Sequence, residues 1–195
     1  MTEREKAEKG YLYDANDAGL VSDRNACYEL CYEYNRIRPP FSQGEDIIRR
    51  LLGRTGRDVV IMPPFQCDYG YNIEAGNHFF ANFNCIIVDC AKVVFGDHVF
   101  IAPGCGFYTA GHPLDAGQRN RGLEYAYPIT VGDNVWFGGN VTVLPGVSIG
   151  SNAVIGAGSV VNRDIPPGVI AAGNPCRVIR EITQEDRSKY QRLKE

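Results

Sequence analysis

Histidine, methionine and tryptophan are scarce in this chain: three, two and one among 195 residues. With three imidazoles, each can be weighed alone as a base or a metal ligand. Neither sign of charge dominates. A net charge of −3 leaves no electrostatic footprint for nucleic acid or an anionic membrane. No apolar run approaches the length of a bilayer span. The charged start, Met1-Thr2-Glu3-Arg4-Glu5-Lys6, carries no apolar segment of the secretory kind. The seven cysteines form no C-x-x-C pair. Cys27 and Cys31 stand one helical turn apart and read as small core residues rather than ligands or a bridge. Asn140-Val141-Thr142 fits a glycosylation sequon, incidental in a chain without an export segment. The expectation is a cytoplasmic protein whose 44% apolar composition supports one substantial core.

What the chain has in abundance is period six. Val131, Phe137, Val143, Ile149, Ile155 and Val161 are apolar and evenly spaced, and Gly132, Gly138, Gly150 and Gly156 each follow one directly. Neither the helical period nor simple alternation yields this spacing. A six-residue repeat marks a parallel β-helix, each hexad being one short strand and a turn with its apolar residue inward. A first frame runs Ile61, Cys67, Ile73, Phe79, Cys85, slips, and resumes at Phe95, Ile101 and Phe107. Three hexads make one coil of about 18 residues. Residues 108–128 leave the repeat altogether, and an excursion of that length is usually functional or disordered.

Residues 1–55 read as helical and 56–175 as the β-helix, followed by a tail, 176–195, that is helical from about Thr183. Thr2-x-x-Glu5 and Ser42-x-x-Glu45 form candidate capping boxes, and Gly10 and Gly53 suit helix ends. Ala26, Cys27, Leu30, Cys31 and Tyr34 mark one apolar stripe, stopped by Pro39-Pro40; Ile47, Ile48, Leu51 and Leu52 mark another.

Among the histidines, His78 and His98 fall at hexad corners as solvated turn residues. His112 lies in the excursion, between Gly111 and Pro113, where function concentrates. From the residues alone, Asn82 and Asn84 read equally as corner turns or as site groups.

The hexads, with Tyr69-Gly70-Tyr71-Asn72-Ile73, Ala81-Asn82-Phe83-Asn84-Cys85, Ile101-Ala102-Pro103, Tyr108-Thr109-Ala110-Gly111-His112-Pro113 and Ala172-Gly173-Asn174-Pro175, resemble the maltose and galactoside O-acetyltransferases. The resemblance spans nearly the whole chain and is closer to the maltose branch. It implies a mainly β fold, a left-handed parallel β-helix of hexapeptide repeats. It also implies a homotrimer with sites between subunits, acetyl-CoA as co-substrate, a sugar hydroxyl as acceptor and no metal. On the family pattern His112 matches the catalytic base, and Asn82 matches an active-site asparagine suited to an oxyanion. Asp14, Asp68 and Glu124 match acceptor positions. Gly139, Ala157, Asn162, Arg163, Arg177 and Arg180 match positions along CoA. Asp68 and Cys90 stand where the galactoside enzymes carry serine and aspartate, which puts galactoside preference in doubt. Tyr69, Tyr71 and Phe80 are candidates to stack on a sugar ring, and Trp136 to pack between subunits.

Three rivals stand beside this reading: a Cys105 acyl-enzyme, a zinc hydratase of the γ-carbonic anhydrase kind built on the three histidines, and a non-catalytic trimeric rod.

Overall fold

A computed structural model describes residues 1–190, apart from the side chains of Phe41 and Ser42. Helix α1 (Glu3–Glu8) begins at the Thr2/Glu5 capping box, both halves of which are formed, and Gly10 follows it with φ +73°. Helix α2 (Ala18–Asn35) is capped by Asp17 and buries Leu20, Cys27, Cys31 and Tyr34, while Ala26 faces solvent and drops out of the expected stripe. Helix α3 (Glu45–Leu51) starts at Gly44 with no side-chain cap. The Ser42 capping box therefore does not form, because a 3-10 turn over Phe41–Gly44 runs straight into the helix. Together α2 and α3 cover the first coil. The Asn35 side chain exchanges two 2.8 Å hydrogen bonds with the Phe65 backbone, satisfying groups that no earlier strand pairs.

From Arg54 the chain winds as a left-handed parallel β-helix with three flat faces. Inward residues stack in register: Thr55, Ala75, Phe95, Val131 and Ile149 on face I. Face II stacks Ile61, Ala81, Ile101, Phe137, Ile155 and Ala171. Face III stacks Cys67, Ile87, Phe107, Val143 and Val161. All six residues of the Val131–Val161 hexad frame are buried.

The frame slip has a single cause. Coils between Ile61 and Ile101 take twenty residues each, and the later step from Phe137 to Ile155 takes eighteen. Both surplus pairs lie on the corner between faces III and I, at residues 68–72 and 88–92. The excursion 108–128 leaves from that same corner one coil later. Ile73, Phe79 and Cys85 are still buried because alternation returns a strand residue inward every second position. Other corners turn through left-handed residues, including His78, Asn84, His98, Asn134, Asn140 and Asn152. This accounts for the histidines there, since Asn, Asp and His tolerate positive φ better than most residues.

Inside, Phe79, Phe95, Phe107 and Phe137 form a column with neighbouring centroids 5.0–5.2 Å apart. Phe107 touches two of these rings and is fully buried. Phe107→Ala is expected to lower the unfolding free energy by about 3–5 kcal/mol; a denaturant midpoint within error of the parent protein's would mean the column relaxes without loss.

The tail differs from expectation. Arg177–Glu181 is a strand, antiparallel to Val169–Ala172, so Arg177 and Arg180 share no helical face. Among the described residues a 3-10 turn, Gln184–Ser188, follows, with Thr183 and Asp186 as its capping box. Proline at 166, 167 and 175 has already ended the hexads, and the bared edge of face II takes this strand instead. Residues 191–195 of the expected tail lie outside the described residues.

Candidate active site

The excursion returns as a small antiparallel sheet in which Leu123–Ala126 lies between Tyr13–Asp14 and Ala110–Gly111. Buried Thr109 anchors its root: the hydroxyl donates to Val88 O at 2.8 Å and accepts from Ala91 N–H at 3.0 Å. Register places Tyr13 opposite Glu124 and Asp14 opposite Leu123. Residues a hundred positions apart thus meet on the corner where the repeat breaks.

His112 directly follows Gly111, the end of the Ala110–Gly111 strand. Its Nδ1 lies 3.2 Å from Leu123 O. A carbonyl only accepts, so Nδ1 carries the proton and the Nε2 lone pair is left free in the neutral ring. Nε2 stands 3.9 Å from Glu124 Oε1, and Glu124 Oε2 accepts a 2.7 Å hydrogen bond from the Tyr13 hydroxyl. Tyr13 is 1% exposed, and burial pushes its phenol far above the ordinary range. It therefore serves as a fixed donor that orients Glu124. Asp14 accepts from Asn16 N–H at 2.9 Å in a local turn, leaving the helix-cap role to Asp17. Asp68 accepts from Tyr28 OH at 3.2 Å and from the Cys90 thiol at 3.7 Å, and Cys90 packs against Tyr13. Beneath them Asp89 is wholly buried. Its Oδ1 accepts from the N–H groups of Asp68 and Tyr69, and burial raises its carboxyl to about 6. One connected corner therefore holds Asp14, Asp68, Glu124 and His112.

Asn82 is elsewhere, on the corner between faces II and III, where its Oδ1 accepts from Phe83 N–H at 2.9 Å. It lines a cavity of about 390 Å³ with Phe80, Phe100, Ala102 and Trp136. Gly138, Gly139 and Ala157 stack along that corner. A Cβ on Gly138 would lie 2.6 Å from Ala157 N, whereas one on Gly139 would meet nothing nearer than Pro103 O at 3.5 Å. Gly138 therefore sets the coil spacing, and Gly139 is open to a ligand. Farther along, Arg177 reaches Asn162 Oδ1 at 3.5 Å. Both Arg180 amino groups bind the Asp186 carboxylate at 2.7 Å, which holds that carboxyl far below the usual range. Arg163 makes no ion pair among the described residues.

The comparisons with known proteins fall on both parts of the chain. A model described as maltose acetyltransferase hexapeptide capping motif matches residues 6–56, and one for bacterial transferase hexapeptide (six repeats) matches 128–163. The galactoside O-acetyltransferase of Escherichia coli K12 is 45% identical over 191 residues, covering 97% of this chain and 93% of that protein. The chain belongs to the maltose and galactoside O-acetyltransferase family. Among solved members, a galactoside acetyltransferase in complex with coenzyme A superposes with TM-score 0.92 at 44% identity, covering 100% of this chain and 96% of that one. A maltose O-acetyltransferase from Clostridium difficile 630 gives 0.91 at 49%, covering 94% and 99%.

Within this acetyltransferase fold two of the rivals meet unfavourable geometry. Cys105 points into the solenoid, donates to Gly138 O at 3.2 Å, and burial raises its thiol, so it presents no nucleophile. His78 and His98 stack at 4.6 Å on the corner between faces I and II, away from the excursion that carries His112, so the three do not come together within one chain. Of the expected sugar-stacking rings, Tyr69 and Tyr71 are at the His112 corner, 5.5 Å apart, but Arg24 and Arg4 already lie over them. Phe80 lies instead on outward face II beside Phe100. Sequence reasoning missed Tyr13 as the group holding Glu124, because only the pairing of strands puts them opposite each other.

Proposed function

We propose that the protein transfers acetyl from acetyl-CoA to a primary hydroxyl of maltose, glucose or a related saccharide. The observation that carries this is the His112 ring, held by Leu123 O with Nε2 free beside Glu124, at a corner lined by carboxylates that suit sugar hydroxyls. His112 Nε2 takes the acceptor proton as that oxygen attacks the thioester carbonyl. The Asn82 amide and the Gly139 N–H stabilise the tetrahedral oxyanion. Collapse breaks the carbon–sulfur bond, and the departing thiolate takes the proton back from His112. Asp14, Asp68 and Glu124 orient the acceptor. Ala157, Asn162, Arg163 and Arg177 line the path of CoA, and Arg180 joins them by exchanging Asp186 for a phosphate.

His112 and Asn82 stand on different corners, and no hydrogen bond links them among the described residues. A site containing both requires a neighbouring copy. The outward ladder of face II is apolar from end to end: Val60, Phe80, Phe100, Trp136, Val154, Ile170. Phe100 and Trp136 are 49% and 53% exposed in the single chain, a patch of the kind that partners cover. A closed homotrimer buries it and lays the Asn82 corner of one copy against the His112 corner of the next. Seven free thiols suit a reducing cytoplasm, and no described helix is long and apolar enough to cross a membrane.

Thiol release from acetyl-CoA, measured with maltose, glucose, a galactoside, serine and no acceptor, tests the reading. Release that depends on maltose or glucose is expected. Release with serine alone, or with none of them, would replace the saccharide assignment.

A further inference from the structure

One buried cluster plays no part in acetyl transfer. Cys27 and Cys31, one turn apart on α2, meet Cys67 of face III beneath the helix. The Cys67 sulfur lies 3.5 Å from that of Cys27 and 3.8 Å from that of Cys31, and all three sulfurs fall within 4.8 Å of one another. Three sulfurs each about 2.3 Å from a shared metal stand about 4 Å apart. Two sides of the observed triangle are close to that size, and the third is no longer than 4.8 Å. Structural zinc takes four ligands, and no fourth histidine, cysteine or carboxylate completes the group among the described residues. A trio of thiolates alone suits a soft ion of low coordination number.

We propose that Cys27, Cys31 and Cys67 form a site for one Cu(I) ion that pins α2 to the solenoid. One neighbouring carboxylate favours a cation there. Asp89, whose Oδ1 accepts from the N–H of Asp68 next to Cys67, leaves its Oδ2 buried with no hydrogen-bond partner among the described residues. Two of the three buried residues also border a groove. Cys31 and Cys67 line a groove of about 770 Å³ between α2 and face III, whose other walls include Tyr28, Asn35 and Asp68. Each coordinated thiol gives up its proton, so uptake of the ion releases protons to solvent.

Cu(I) offered anaerobically to the reduced full-length protein, as its bicinchoninate complex, tests the assignment. The parent protein is expected to withdraw one ion per chain and to gain about 5 °C or more in melting temperature, as a tight ligand of the folded state does. Cys31→Ser and Cys67→Ala should withdraw none, while Cys85→Ala, which removes a buried thiol outside the trio, should still withdraw one. X-ray absorption on the loaded parent protein reads the coordination shell directly, whatever the folding of the variants, and three sulfur neighbours are expected. No withdrawal by the parent, undiminished withdrawal by Cys67→Ala, or two-sulfur coordination would each overturn the site and leave three neutral core thiols.

Discussion

His112→Ala is expected to lower kcat for acetyl transfer by about 10²–10⁴-fold, the range for loss of a general base, with little change in KM for acetyl-CoA. The size of the effect follows from how the ring is held. The bond from Nδ1 to Leu123 O fixes which nitrogen is free, and half the imidazole surface is open to a substrate. The substitution removes a surface side chain from a loop anchored by Thr109 and by strand pairing, so stability should change little. Thiol release at saturating acceptor, with a thermal melt of the same preparation, separates the two effects. Turnover within a few-fold of the parent protein would take His112 out of the mechanism.

Mixing two inactive variants is expected to restore activity. His112→Ala leaves the Asn82 corner intact. Asn82→Ala, which removes an oxyanion donor at an expected cost of about 10²–10³-fold, leaves the His112 corner intact. If each site draws one corner from each of two neighbouring copies, random co-assembly in a closed ring rebuilds about a quarter of the sites. Co-expressed chains should therefore show turnover far above either variant alone. A mixture no more active than its parts, with the mass of an assembled ring, would place both residues in one chain's own site. A monomeric mass for the parent protein would remove the shared site altogether.

The solenoid was legible because its physics is local and repeated. A side chain every six residues that must face inward leaves a periodic trace, and every member of the Val131–Val161 frame is buried. The helical stripes were legible for the same reason, as was the Thr2 cap, whose partner is three residues away. Misreadings came where a neighbour in space overrides a neighbour in sequence. The turn ahead of α3 supersedes the Ser42 box, and Arg177–Glu181 becomes a strand because face II offers it an open edge. Cys27 and Cys31 read as core residues, and they are buried; that Cys67 joins them follows from the packing of α2 on the first coil.

The corner between faces III and I shows the same division most sharply. Sequence alone determined that the repeat breaks at 108–128, that His112 sits in the break, and that period six builds a coil. It could not show that the two earlier slips fall on the same edge as the break, since that depends on which residues stack. Nor could it show that Tyr13 orients Glu124 across 111 positions of chain. Periodicity records how a residue faces its own strand. The tertiary structure alone decides which corners coincide, and the site is made where they do.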